Sequence, residues 1–326
     1  MSAGVYLDSY LSVFAPWLTR DDVTDVLINR PGEVWIETGD GEMARLLAPQ
    51  VTETVLSRLA RQIAGATHQG VNREQPLLSA TLPNGARVQI VAPPATREGL
   101  VLAVRKHTIQ DLSVDDLSDA GLFDAGAKTA HSDGGDAALA ALLKEGDTAE
   151  FLKQAVKRRK TIVVSGGTSS GKTTLLNALI REIDPCERLI VIEDAPEIKL
   201  SHANAVGLIA VRGDQGEARV DADTLLQASL RMRPDRILLG ELRGKEAFAF
   251  LRAVNSGHPG SITTVHADSP EGAIDQIALL AMTSGVDLGW STIQTYVRGV
   301  IDIVVQLDRR DGARRVADVR FLSSST

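Results

Sequence analysis

A chain of 326 residues with 44% hydrophobic and 24% charged residues is ordinary for a soluble globular protein and long enough for two domains. No apolar run approaches the roughly 20 residues that span a bilayer, and the one cysteine, Cys186, excludes an intrachain disulfide or a multi-cysteine zinc module. The net charge of −7 is uneven: residues 1–150 hold 12 Lys+Arg against 21 Asp+Glu, and residues 151–326 hold 23 against 21. Neither half carries the excess of cations that nucleic acid or an anionic membrane surface selects.

The N-terminal MSAGVYLDSYLSVFAPWLTRDD lacks a basic start, and Asp8 interrupts its apolar stretch, so it does not read as a signal peptide and predicts cytoplasmic residence. Short apolar segments follow. VLIN precedes the turn Arg30-Pro31-Gly32, and VWIE precedes Gly39-Asp40-Gly41, a pattern of strands joined by tight turns. Val55, Leu56, Leu59, Ala60 and Ile63 recur at helical spacing over Thr52–Ala64. SATL, the turn Pro83-Asn84-Gly85, RVQIVAPP and GLVLAVRK then read as antiparallel strands. These elements predict a smaller α+β N-terminal domain over residues 1–108. Residues 109–150, with the Asp-, Ala- and Gly-rich Thr129–Asp136, read as an interdomain linker with short helices.

From Phe151 the pattern changes. A helix over Phe151–Lys160 feeds into apolar runs (TIVVS, RLIVIED, RILLGE, SITTVHA) that alternate with helical segments, as in an α/β domain with a mainly parallel sheet over residues 151–326. Cys186 is expected to be a buried small side chain.

Chemistry concentrates at Gly166-Gly167-Thr168-Ser169-Ser170-Gly171-Lys172-Thr173, followed by Thr174. The run satisfies G-x-x-x-x-G-K-[ST], with a strand before it and a helix, Lys172–Ile183, after it. Glycines let backbone N–H groups close around phosphates, and the helix N-terminus adds its positive dipole. Lys172 is suited to the β and γ phosphates and the Thr173 hydroxyl to Mg²⁺, so the expected cofactors are ATP and Mg²⁺.

Hydrolysis also needs a carboxylate on a neighbouring strand, and RILLGE supplies Glu241, at a strand end where ligands of open α/β sheets bind. Taken alone, Glu241 is equally an ordinary strand terminus. Position 240 is Gly where many P-loop enzymes carry a metal-binding Asp, which leaves the metal to Thr173, phosphate oxygens and water, with Glu241 acting through water. Glu193, Asp194 and Glu197 cluster at another strand end and are candidates for ordering Mg²⁺ or the lytic water; a solvated loop is the alternative. His266 ends a further strand. His258, at that strand's entry, is as well explained by a structural hydrogen bond.

The ordered set of P-loop at 166–173, IEDAPEI at 192–198, RMRPDRILLGELRG at 231–244 and SGHPGSITTVHADSP at 256–270 resembles the secretion-superfamily traffic ATPases. It is most similar to the hexameric ATPase of bacterial type IV secretion systems, the eleventh VirB component. VLINRPGEVW at 26–35, LLSATLPNGARVQIVAPP at 77–94 and VLAVRK at 101–106 are similar to that family's N-terminal domain.

The resemblance implies a RecA-like P-loop fold, a homo-hexameric ring and nucleotide bound between the two domains. It implies peripheral attachment at the inner membrane, with secretion-channel proteins and other secretion ATPases as partners, and no dominant role for direct nucleic-acid binding. It assigns Glu241 as the Walker B carboxylate, Glu193 as the acidic-box carboxylate near the lytic water and His266 as a γ-phosphate sensor. Arg87 and Arg105 match arginines that close over the phosphates; without the resemblance they read as exposed strand charges. Arg231 and Arg233 are candidates for contacting a neighbouring nucleotide or subunit. The expected action is domain closure on ATP binding and hydrolysis, powering pilus assembly or transfer of DNA or protein. The alternatives are a pilus or type II secretion ATPase, the latter commonly carrying a tetracysteine module that this chain lacks, and a nucleic-acid translocase, which an aromatic content of 4% supports poorly.

Overall fold

The computed structural model describes residues 3–106, 113–119, 121, 123, 133–211, 213 and 216–322. Residues 109–112, 120, 122 and 124–132 of the predicted linker lie outside them.

The chain opens with helices α1 (Ala3–Leu11) and α2 (Ala15–Leu18), joined by a 3₁₀ turn. The strands β1 (Val23–Ile28), β2 (Gly32–Thr38) and β3 (Met43–Ala48) come next, then helix α3 (Glu53–Ala66) and strands β4 (Leu77–Thr81), β5 (Arg87–Val91) and β6 (Val101–Arg105). They form one antiparallel sheet in the order β3-β2-β1-β6-β5-β4. Helix α3 starts where the Thr52 side chain accepts from Val55 N, an N-cap that answers one of the orphan donors of the first turn.

Strand periodicity sorts this sheet's side chains to two faces. Val26, Ile28, Val34, Ile36, Leu102 and Val104 pack with Leu56, Leu59 and Ile63 of α3, whereas Leu27, Trp35, Val101 and Ala103 join the apolar cluster of the C-terminal half. Both faces are therefore buried, which is why these strands read as near-continuous apolar runs.

Helices α4 (Val114–Asp119), α5 (Asp133–Glu145) and α6 (Thr148–Lys157) lead to the second sheet. Its parallel strands are β7 (Ile162–Gly166), β8 (Leu189–Glu193), β9 (Ala205–Ile209), β10 (Arg236–Leu239), β11 (Ile262–Val265) and β12 (Ile303–Arg310); β13 (Ala313–Phe321) closes the edge antiparallel to β12. The order is β13-β12-β7-β11-β10-β8-β9. Helices α7 (Lys172–Ile180), α8 (Ala222–Ser229), α9 (Glu246–Asn255), α10 (Pro270–Met282) and α11 (Trp290–Val300) cover it. Two apolar clusters account for its faces. Val163, Ile190, Ile192, Ile237 and Leu239 point one way, and Ile162, Val164, Leu189, Val191 and Leu238 point the other. This is the α/β fold with a mainly parallel sheet that the sequence predicts. Among the described residues no helix is long and apolar enough to cross a membrane.

The two halves meet through polar as well as apolar contacts. Ala95–Arg97 pairs with the edge strand β9: Ile209 N donates to Ala95 O at 2.9 Å and Arg97 N to Gly207 O at 3.0 Å. Arg188 is fully buried and bonds Asn29 Oδ1 (2.7 Å), Asn204 Oδ1 (2.5 Å) and Met232 O (2.9 Å). Burial pulls its guanidinium down to about 9 and Arg233 adds to that, while Asp235, Asp25 and Glu37 oppose. Arg233 itself pairs with Glu37 of β2 and with Asp235. A charge so deeply placed is tolerated only because its partners from both halves are present.

One expectation is corrected here. Cys186 is exposed. It lies in the turn Asp184–Glu187, where its N–H donates to Asp184 Oδ1.

Candidate active site

The parallel strands end together, and the loops that follow β7, β8, β10 and β11 line one cavity of about 340 Å³. Gly167, Thr168, Ser169, Ser170, Gly171, Lys172, Thr173 and Thr174 form one wall, with Glu193, Glu197, Glu241, Arg243, His266 and Arg314 around it. Gly171 has φ +100°, a conformation that a side chain would strain, and it immediately precedes the first turn of α7. A Cβ there would also meet Arg314 Cδ at 3.1 Å. The loop thus wraps the N-terminus of α7, where free N–H groups and the helix dipole favour an anion.

Lys172 Nζ donates to Gly166 O (2.8 Å) and Gly167 O (3.1 Å) and lies 3.4 Å from both ring nitrogens of His266. Burial draws this ammonium below its ordinary value; Glu241 opposes the shift and Arg243 reinforces it. His266 Nε2 stands 2.9 Å from Glu241 Oε1, and Arg243 holds Glu241 Oε2 at 2.6 Å while reaching Asp194 Oδ2 at 3.3 Å. Thr173 Oγ1 donates to Glu197 Oε2 at 3.1 Å. The P-loop lysine, the strand-end carboxylate and the histidine that the sequence places far apart are therefore one connected group.

Glycine at position 240 has a steric reason. A Cβ there would come 3.1 Å from Glu193 Cγ and 3.6 Å from Glu193 Cβ. Thr264 Oγ1 fixes the same turn by donating to Gly240 O at 2.8 Å. Glu193 occupies the space into which a side chain at position 240 would project. It is 5% exposed, its Oε1 accepts from Glu197 N (3.1 Å) and Ile198 N (2.8 Å), and its Oε2 pairs with Arg97. Each of its oxygens is thus engaged by the protein, whereas Glu197 is the exposed acidic-box carboxylate beside the P-loop threonine.

Magnesium fits this donor set in one way. Among the described residues no group of three or more His, Cys, Asp or Glu is arranged to hold a metal ion. A divalent ion would therefore rest on the Thr173 hydroxyl and on phosphate oxygens, with Glu197 and Glu241 on its water shell.

Arg87 and Arg105 are not in this cavity. They face each other across β5 and β6 and line a separate space of about 440 Å³ with Gln69, Ser79 and Arg231. Arg105 Nε bonds Asp25 Oδ1 at 3.0 Å, and Arg231 reaches Ser79 Oγ at 3.4 Å. The resemblance matches both arginines to ones that close over the phosphates; here they line a different cavity from the chain's own P-loop, one shared with Leu230 and Arg231. Arg233 serves the contact between the halves, and His258 Nδ1 donates to Ala253 O (3.0 Å), the structural role considered for it. Arg243, Thr264 and Arg314 are site residues that pattern reading missed. Arg243 is two positions past Glu241 and could have been found from that spacing; Arg314 arrives on the β12–β13 hairpin, whose pairing no local pattern reveals.

Residues 137–324 match the family described as type II/IV secretion system protein. The chain is 42% identical to the type IV secretion system protein PtlH of Bordetella pertussis, over 97% of this chain and 95% of the relative. It is 38% identical to the type IV secretion system protein VirB11 of Bartonella quintana, over 95% and 91% respectively. The crystal structure of the VirB11 ATPase of the Brucella suis type IV secretion system, in complex with sulphate, superposes with a TM-score of 0.89 at 37% identity and 97% coverage of both chains. With a complete P-loop, a strand-end glutamate and a histidine in one cavity, this chain is an ATPase and belongs to the VirB11-type family of type IV secretion ATPases.

Proposed function

We propose that this chain is the ATP-driven motor of a type IV secretion system, acting as a ring of like subunits on the cytoplasmic face of the inner membrane, where it works on channel proteins and partner ATPases. Support comes from the family and from the placement of Arg87 and Arg105. Two guanidinium groups directly opposite each other repel, and beyond the Asp25 carboxylate on Arg105 the pair is suited to meet an added anion. The lining of the P-loop cavity, among the described residues, takes nothing from the first 106. Each half of a composite phosphate site is thus present in the chain, but in separate cavities. A ring joins them: one subunit supplies Lys172, Thr173, Glu241 and His266, and its neighbour supplies Arg87 and Arg105.

Within such a site Lys172 leaves the loop carbonyls for the β and γ phosphates. Glu241, released from Arg243, accepts a hydrogen bond from the attacking water and receives its proton, while His266 donates toward the γ-phosphate. Thr173 would hold a magnesium ion, which when bound would neutralise phosphate charge. Loss of the γ-phosphate frees the neighbour's arginines, so closure is a movement between subunits; within one chain the shared apolar cluster and the buried Arg188 network oppose hinge motion.

Mixing two inactive proteins tests this reading. A ring of Lys172→Ala chains has no competent P-loop, and a ring of Arg87→Ala/Arg105→Ala chains has no arginine supply. Co-assembly restores ATP hydrolysis if the site is shared between subunits. Two inactive variants that stay inactive in mixed rings of confirmed size would count against it.

A further inference from the structure

Glu193 sits at the centre of the acidic box, yet each of its oxygens is already bound within the protein, and the group bound to one of them comes from the other half of the chain. Arg97 ends the segment that pairs with β9, so its backbone is fixed on the edge of the C-terminal sheet. Its side chain runs inward across Gly207, where a Cβ would meet its Nε at 2.7 Å and its Cγ at 2.9 Å. Nη1 donates to Ile198 O at 2.8 Å and Nη2 pairs with Glu193 Oε2. The side chains of Arg97 and Glu193 are 14% and 3% exposed.

We infer that Arg97 is a positioning residue of the hydrolysis site, holding Glu193 so that the acidic box presents Glu197 to Thr173. The chain of contacts is short. Arg97 clamps Glu193 and the Ile198 carbonyl; Glu193 Oε1 holds the N–H groups of Glu197 and Ile198; Glu197 Oε2 accepts from Thr173 Oγ1. Glu193 thus acts through the backbone it orders, and the carboxylates that face the nucleotide are Glu197 and Glu241. Because Arg97 is anchored on the pairing between the halves, a displacement of the N-terminal sheet by a neighbour or a cargo reaches the P-loop threonine through four residues. Two glycines make room for it: Gly207 under the Arg97 stem and Gly240 beside Glu193.

This inference rests on the P-loop cavity being the site of hydrolysis, and its test separates the two. Steady-state ATP hydrolysis is measured on the full chain for Arg97→Ala, Arg97→Lys, Glu193→Gln and the Arg97→Ala/Glu193→Gln double variant, alongside hydrogen exchange of the Glu197 and Ile198 amides without nucleotide. Misplacing the acidic box predicts a kcat about 10- to 100-fold lower for Arg97→Ala with KM for ATP held within about threefold. Those two amides exchange faster, Arg97→Lys recovers part of the rate, and the double variant is no slower than the slower single one. Gly207→Ala, which displaces the arginine without removing it, gives the same kcat-selective loss should Arg97→Ala fail to fold. Wild-type kcat in folded Arg97→Ala overturns the inference, as does a loss shared equally by kcat and ATP affinity with unchanged exchange at 197 and 198. The exchange readout needs no turnover, so a wild-type protein that releases no phosphate yet shows the Arg97-dependent protection removes the ATPase assignment and keeps the coupling.

Discussion

Gly240→Asp restores the residue that many P-loop enzymes carry, and in this chain it is predicted to do harm. The glycine is not at a positive φ, so no backbone strain is involved and the effect comes from contact. The new Cβ would stand 3.1 Å from Glu193 Cγ, a few tenths of an ångström too close, and Glu193 is held from both sides and cannot swing away. Overpacking of this kind costs about 1–3 kcal/mol. The carboxylate adds like charge beside Glu193 and Glu241, which opposes ionisation of all three. At about 2–4 °C per kcal/mol for a domain of this size, the midpoint of thermal unfolding falls by roughly 2–12 °C. Gly240→Ala isolates the steric part, and the reduced entropy of its unfolded chain returns about 0.4–1 kcal/mol, so its midpoint lies between the two. Unfolding is followed by circular dichroism at one scan rate and without nucleotide, because bound ligand would raise the midpoint by mass action. ATP turnover is measured in parallel and falls as the Glu193 contacts to Glu197 and Ile198 are pushed apart. A Gly240→Asp protein with wild-type midpoint and wild-type turnover would refute the idea that Glu193 needs this space.

Glu241→Gln keeps the shape of the strand end and removes the proton acceptor, so kcat drops by about 10²- to 10⁴-fold while fluorescent-ADP affinity stays near wild type. Equal losses in both would show that Glu241 serves binding only. Glu33 tests the N-terminal sheet by pH. Burial works against its charged form, but hydrogen bonds from Arg30, Arg45 and Trp35 outweigh it and hold the carboxyl below its usual range. A depressed folded-state value contributes stability above the unfolded value of about 4.3, lost as pH falls through the folded one. Glu33→Gln therefore melts lower than wild type at pH 7, by about 1–2 kcal/mol, and the gap closes toward pH 3. A gap that is independent of pH would show that packing, not charge, sets the difference.

Much of the catalytic half was legible because its strands are apolar on both faces and each ends in a chemically distinctive residue. Lys172, Thr173, Glu241 and His266 follow β7, β10 and β11, which are neighbours in the parallel sheet, so their strand ends meet at one edge. The strands β3 and β13 were not legible. Their exposed positions, such as Arg45 and Leu47 in β3 and Arg314 and Arg315 in β13, break the apolar alternation that marks a strand, and an edge strand needs little of it. Arg314 was lost with its hairpin. Arg97 was invisible for a different reason: its partner lies 96 positions away, and only the pairing of Ala95–Arg97 with β9 brings them together. Arg87 and Arg105 show the limit of residue-by-residue transfer. Their identity and strand positions carry over, but which nucleotide they face depends on how subunits assemble.

Steady-state phosphate release by wild type and Lys172→Ala, at saturating ATP and magnesium, tests most directly whether this cavity hydrolyses ATP. Removing the one cation that the P-loop aims at the β and γ phosphates predicts a loss of at least about 10²-fold in a protein that melts within a few degrees of wild type. Equal phosphate release by the two proteins would contradict the account.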